Sequence, residues 1–267
     1  MLNYRERIFK GLAIVMSILI IATSIGCTNQ NINNNTKTSR KEYQNINRDG
    51  SFVVKSRNGI IKVDKDFTKS STKDIKQIEW YSDAYCPDCM RAHDVASEYI
   101  NESITNGDME VKFHILNFLP YVTDNNEYSL DAAAWLIGIA ENYPTRILKA
   151  IDIFYTDTFK ERFKESTKFN EDIKEYLINE AKLLNEKEAE LIYNNIENLE
   201  NTVNRGSVGI RRNKELKELS PDEEKRVFVP FIYNIKDKEV LDGENEDAET
   251  HILKRLKGMT GCKEDCN

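Results

Sequence analysis

Apolar positions keep different rhythms along this chain, and each change of rhythm marks a part of it. From Gly11 to Gly26 the residues are uncharged and mostly apolar, while from 28 to 50 core-forming residues almost vanish. Between Ser51 and Leu119 the pattern is of strand type. Two short β-type runs within Ser51 to Val63 flank Asn58-Gly59, and Asn-Gly in that setting predicts a tight hairpin. Lys76 to Ser82 predicts a strand and Met90 to Ile100 a helix. Asp108 to Leu119 predicts another strand, with Val111, Phe113 and Ile115 on one side. From Asn125 to about Leu219 apolar residues recur at three- and four-residue spacing, as in Leu183, Leu184, Leu191, Ile192, Ile196, Leu199 and Val203. Helices are expected near 129–142, 145–158, 170–183 and 186–204, with Pro144 opening one of them. Strand character returns at Val227 to Tyr233. A turn through Lys236-Asp237-Lys238 leads to Glu239 to Leu241, and Asp247 to Lys257 closes as a helix.

This order predicts an α/β fold in which a central mixed sheet is opened in its middle to admit a helical block. The expected parts are a leader over 1–26, a tether over 27–50, and a first core segment over 51–124. The helical block follows over 125–219, then the second core segment over 220–258 and a polar tail over 259–267. The 267 residues are enough for one sizeable domain with appendages, and a net charge of −7 leaves no basic footprint for nucleic acid.

The leader is read from its flanks. Arg5, Arg7 and Lys10 precede the apolar run, which ends in Ser24-Ile25-Gly26-Cys27. A basic flank, a short apolar segment and small residues before a processing point describe an export signal. The run is shorter than the roughly 20 residues of a spanning helix. Its end resembles a bacterial lipobox, with Ser24 where such motifs usually carry leucine. That resemblance implies lipidation of Cys27 after cleavage, and an uncleaved signal anchor is the alternative. Either places the domain on the outer face of a membrane, where disulfides persist. The polar composition of 28–50 predicts a disordered tether.

Five cysteines fall as one singleton, Cys27, and two close pairs, Cys86 with Cys89 and Cys262 with Cys266. The pair in Cys86-Pro87-Asp88-Cys89 sits where a predicted strand gives way to a predicted helix. Two cysteines so spaced close a small reversible disulfide, and a helix N-terminus stabilises the thiolate of the first. The chemistry indicated is thiol–disulfide exchange. Cys86 is the expected nucleophile, Cys89 the resolving thiol, and Pro87 suits the first helical turn. Pro230 stands oddly inside an apolar strand run, where proline removes a ladder bond.

Tyr81-Ser82-Asp83-Ala84-Tyr85-Cys86-Pro87-Asp88-Cys89 resembles the active-site region of the DsbA-like branch of the thioredoxin superfamily. Phe113 through Pro120, then Ser129-Leu130-Asp131-Ala132-Ala133, resemble that branch's passage into its inserted helices, and Val229-Pro230 resembles its valine and cis-proline. The resemblance implies a thioredoxin-like core with an inserted helical domain, no cofactor, and a Pro230 edge that faces the sulfur pair. It implies exported protein substrates and an integral-membrane redox partner, a quinone-linked oxidase or an electron carrier. It also implies a buried acid in the strand before the motif, for which Glu79 is the candidate, although Trp80 beside it points to the other face. Asp88, between the cysteines, is expected to raise the pKa of Cys86 and weaken the pair as an oxidant, with a potential between about −120 and −270 mV.

The alternatives are a tethered reductase or isomerase, and a lipoprotein that binds metal or a partner on a thioredoxin-like scaffold. For the latter, Cys262 and Cys266 would complete a zinc site with Cys86 and Cys89, although the gap between the pairs is long. Cys262 and Cys266 otherwise read as a local disulfide or a second redox pair. His93 reads as a flank residue of the motif helix, and His114 and His251 have no evident partner in sequence.

Overall fold

The computed structural model describes residues 42–69, 75–119, 126–220, 223–241 and 248–259. The leader, with its apolar run from Gly11, lies outside them, as do Cys27, Cys262 and Cys266. The strands are β1 (Phe52–Arg57), β2 (Ile60–Asp64), β3 (Lys76–Ser82), β4 (Met109–Ile115), β5 (Phe231–Asn234) and β6 (Glu239–Leu241). They form one sheet in the order β2-β1-β4-β3-β5-β6. β3 and β4 run parallel, joined through helix α1 (Pro87–Thr105), and the other pairings are antiparallel. The hairpin between β1 and β2 turns at Asn58 and Gly59, with φ of 56° and 75°. Both angles are positive, as a two-residue turn of this hand requires, and Asn-Gly tolerates them best.

Between β4 and β5 stands the helical block: α2 (Asn126–Asn142), α3 (Ile147–Phe154), α4 (Asp157–Phe163), α5 (Phe169–Asn179), α6 (Glu186–Tyr193), α7 (Ile196–Arg212) and α8 (Lys214–Leu219). Helix α9 (Ala248–Met259) follows β6. Two expected helices are each divided. The segment 145–158 breaks after Phe154, where Thr156 caps α4 by accepting the Phe159 N–H. The segment 186–204 breaks at Asn194-Asn195, between α6 and α7. At the first break the Thr156 side chain satisfies a free backbone N–H of the new helix. Strand β5 begins at Phe231, so Pro230 lies just outside the ladder it would interrupt.

The expected tether boundary at residue 50 is corrected by packing that starts at Glu42. Ile46 is fully buried and Tyr43 nearly so. The Glu141 carboxylate, at the end of α2, accepts the N–H groups of Gln44, Asn45 and Ile46 at 2.8, 2.9 and 3.2 Å. The segment then crosses α7 at Gly206, where a Cβ would lie 2.2 Å from the Asp49 carbonyl oxygen. Two apolar anchors and one carboxylate hold a stretch whose composition is otherwise that of a free chain.

The faces of β3 divide the interior. Ile78 and Trp80 join the main core, which α1 and α9 share with Phe52, Phe113, Ile252 and Leu256. Tyr81 points to the other face, into a smaller cluster with Leu116, Phe118, Ile210, Leu216 and Phe231. The redox motif belongs to the first face.

Candidate active site

β3 ends at Ser82, and the turn that follows delivers Cys86 to the N-cap of α1. The Cys86 N–H donates to the Asp83 carbonyl at 3.1 Å, and the Cys86 carbonyl accepts the first helical bond from Met90 at 3.0 Å. Pro87 occupies the first helical position, where a missing N–H leaves nothing unpaired. Both cysteines are free thiols, Cys86 4% exposed and Cys89 fully buried. The Cys86 Sγ lies 3.7 Å from the carbonyl oxygen of Val229, a residue 143 positions away along the chain. The Val229–Pro230 peptide bond is cis. The structure therefore brings together Cys86, Cys89, Val229 and Pro230.

The second disulfide expected between Cys262 and Cys266 falls outside the described residues, since both cysteines lie beyond Met259. Among the described residues Cys86 and Cys89 are the free cysteines, and no group of three or more potential metal ligands is gathered around them.

The two thiols of the motif differ in kind. The hydrogen bond from Cys89 holds the Cys86 thiol below its ordinary value, against burial, Asp83 and Asp88, which push it up. Burial pushes the Cys89 thiol well above its ordinary value, and the adjacent Cys86 pushes it further. A nucleophile with thiolate character beside a protonated, buried partner is the division of labour that disulfide exchange uses.

Asp88, between the cysteines, pushes the Cys86 thiol up as expected, but it ranks behind burial and Asp83. Its carboxylate is well exposed and paired with the Arg91 guanidinium one turn along α1. A solvated carboxylate with its own counter-ion has little reach into a buried pair.

Glu79 is displaced from its expected place. It points to the face of β3 away from the cysteines, beside its cross-strand partner Lys112 and near His114, the partner of Tyr81. The Tyr81 hydroxyl donates to it, and the Tyr81 ring stacks on His114 with centroids 4.1 Å apart. Burial alone would raise the Glu79 carboxyl, but His114, Tyr81 and Lys112 more than offset that and bring it down to about 2. Strand alternation decides the matter: Trp80 takes the side facing α1, where its ring lies 6.4 Å from that of His93.

The buried acid beside the cysteines is Asp83, which sequence reasoning passed over. It is fully buried. Its backbone N–H donates to Cys89 Sγ at 3.5 Å. Its Oδ1 accepts the Tyr85 N–H at 2.8 Å, and its Oδ2 accepts the Leu119 N–H at 2.9 Å and the Ser129 hydroxyl at 2.8 Å. Burial raises its carboxyl above the ordinary value despite those three donors. The sequence signal was present, an acid three residues before the first cysteine. Its burial depends on Leu119 and Ser129, which lie far along the chain.

The helical block completes the surroundings. The Tyr155 hydroxyl, 3% exposed, lies 2.6 Å from Ser82 Oγ, at the end of β3. His93 is buried rather than flanking, with Nε2 3.0 Å from Asp152 of α3 and its ring 5.4 Å from that of Tyr155. Asn101 donates to the same carboxylate at 3.1 and 3.2 Å, so α1 is fastened to α3 at two levels. Tyr85, just before the motif, packs on Tyr128 and carries the Lys160 ammonium 4.8 Å from its ring centroid.

A family model described as thioredoxin matches residues 71–208, more than half of the chain. No match is found among curated proteins. Among solved structures, the MdbA protein of Actinomyces oris, a thiol-disulfide oxidoreductase, aligns with a TM-score of 0.56 at 12% identity, covering 81% of this chain and 90% of its own. BdbD of Bacillus subtilis aligns with a TM-score of 0.51 at 13% identity, covering 82% and 97%. The MdbA protein of Corynebacterium matruchotii gives 0.51 at 14% identity, covering 81% and 94%. At these identities the likeness is one of fold, and the residue roles rest on the geometry above. The chain belongs to the thioredoxin family, in the DsbA-like arrangement of a thioredoxin core opened by an inserted helical block.

Proposed function

We propose that this protein is a thiol–disulfide oxidoreductase that introduces disulfides into exported proteins. The observation that carries the reading is Cys86 at the N-cap of α1, its sulfur facing the Val229 carbonyl beside the cis Pro230. Family membership and the fold shared with proteins named as thiol-disulfide oxidoreductases support it.

In this reading the Cys86–Cys89 disulfide is the working form. A substrate thiolate attacks the Cys86 sulfur, the bond to Cys89 breaks, and Cys89 leaves with the electron pair and takes up a proton. A second substrate thiolate attacks the substrate sulfur of the mixed disulfide and releases Cys86, whose thiolate is the better leaving group of the two. The substrate gains a disulfide and loses two electrons and two protons. The edge formed by Val229 and Pro230 would take an extended substrate segment by main-chain pairing. An integral-membrane partner, quinone-linked or an electron carrier, would take up the electrons.

The leader and Cys27 support placement on the outer face of a membrane, with Cys27 lipidated and residues 28–41 as the tether. Tyr43 and Ile46 are buried, which supports a tether that ends before them. A reductase or isomerase would use the same pair in reverse. Direction is tested by equilibrating the protein with glutathione buffers. A potential nearer −120 than −270 mV supports the oxidase, and one near about −270 mV supports the reductase. Direct disulfide transfer is tested by trapping a mixed disulfide between Cys86 and a substrate cysteine in the Cys89→Ser chain.

A further inference from the structure

Two carboxylates stand near the cysteine pair, and they differ in every respect that governs electrostatic reach. Asp88 is exposed and paired with Arg91. Asp83 is fully buried, and among the described residues the titratable groups coupled to it are Cys86, Cys89, Tyr128 on α2 and Tyr155 after α3, none of them a cation. What stabilises its charge is hydrogen-bond donation, and the donors come from three places. Tyr85 belongs to the motif turn, Leu119 to the segment leaving the core after β4, and Ser129 to the first helix of the inserted block.

We propose that Asp83, rather than Asp88, tunes the redox pair, and that the inserted block sets Asp83 through the Ser129 hydroxyl and the Leu119 N–H. Asp83 is a positioning residue here: its carboxylate acts on the sulfurs through the shared field, and its backbone N–H holds Cys89.

The physical argument is one of charge crowding. A buried carboxylate and a buried thiolate without a cation between them disfavour each other, so the two titrate as a coupled unit. When a substrate gives up two electrons and two protons, the Cys86–Cys89 bond breaks and two protons must be housed. Cys89 takes one. The other is shared between Cys86 and Asp83. In the oxidised form there is no thiolate, and Asp83 keeps its charge at no such cost. Reduction therefore drives a proton toward this pocket, and the donors on Asp83 decide how far Cys86 keeps it. Stronger donation to Asp83 holds the carboxylate charged, raises Cys86 and weakens the protein as an oxidant. Weaker donation does the reverse.

The inference rests on the proposed exchange chemistry, and its test separates the two. The Cys86 thiolate is titrated in the reduced full chain by its ultraviolet absorbance and by alkylation rate, neither of which requires a substrate. The wild type should titrate in two coupled steps. Asp83→Asn should merge them into one, move its midpoint to at least tenfold higher proton concentration, and shift the glutathione equilibrium at least tenfold toward the reduced pair. Asp88→Asn should move both by less than threefold. Ser129→Ala removes one donor without touching Asp83, and should move both readings in the direction of Asp83→Asn by a smaller factor; it decides the matter if Asp83→Asn does not fold. A Cys86 titration unchanged by Asp83→Asn or Ser129→Ala, or shifted more by Asp88→Asn, overturns the proposal. Tuned thiols in a protein that transfers no disulfide would instead count against the proposed function alone.

Discussion

Replacing Glu79 by glutamine separates an acid that supports the fold from one that serves the cysteines. The substitution keeps the shape of the side chain and an oxygen for the Tyr81 hydroxyl, and removes only the charge beside Lys112 and His114, each 3.9 Å away. The Glu79 carboxyl sits at about 2 in the fold against 4.5 as the ordinary value. At 1.36 kcal/mol for each tenfold step, that difference sets a ceiling of roughly 3 kcal/mol. The side chain is 21% exposed, so solvent screening brings the expected loss to about 1–3 kcal/mol. The sign follows from the lowered value: the stabilisation is complete above pH 4.5 and is lost as the pH falls toward 2. Urea denaturation followed by tryptophan fluorescence, run at intervals from neutral pH downward, should show a gap between wild type and Glu79→Gln. The gap should close across that window. The Cys86 titration and the rate of disulfide transfer should stay within twofold of wild type. A tenfold loss of transfer at unchanged stability would refute the placement of Glu79 and return it to the position beneath the sulfurs that strand order alone suggests.

Two further positions probe how the surrounding elements are held. Gly206→Ala drives a methyl group to 2.2 Å from the Asp49 carbonyl, and should destabilise the protein by about 1–3 kcal/mol in thermal denaturation. Gly209→Ala in the same helix meets nothing within 4 Å and should be neutral or stabilising by up to about 1 kcal/mol. Tyr155→Phe leaves the buried Ser82 hydroxyl without its partner, and should cost about 1–2 kcal/mol in chemical denaturation. Equal stability of Tyr155→Phe and wild type would mean that Ser82 finds another partner.

Much of the fold is readable in the sequence because its signals are local. Asn58-Gly59 turns where it should, β3 spans Lys76–Ser82, and β6 spans Glu239–Leu241. The Cys86-Pro87-Asp88-Cys89 motif names its chemistry because strand, turn, proline and helix stand in one continuous stretch. The misplaced residues share a different cause. Glu79 and Trp80 are adjacent on a strand, so one must face the cysteines, and composition does not choose between them. The packing of Trp80 against His93 and Phe113 chooses. Asp88 raises Cys86 as its place between the cysteines suggests, and its exposure and pairing with Arg91 rank it behind Asp83. Asp83 looked unremarkable because the donors that bury it arrive from Leu119 and Ser129. The tether boundary moved for the same reason, since Ile46 has little meaning until Glu141 of α2 gathers the backbone around it.

The central claim, that Cys86 carries a disulfide to a substrate and Cys89 resolves it, is tested most directly by trapping the intermediate. The Cys89→Ser chain is mixed with an unfolded protein whose cysteines have been activated as mixed disulfides with a small thiol, and the adduct is digested and sequenced by mass spectrometry without reduction. The account predicts a stable link from Cys86 to a substrate cysteine. It also predicts no comparable link in Cys86→Ser, and disulfide transfer without trapping when the oxidised wild type meets the same unfolded protein with its cysteines reduced. A link through Cys89 in Cys86→Ser, or no adduct in either variant, would contradict it.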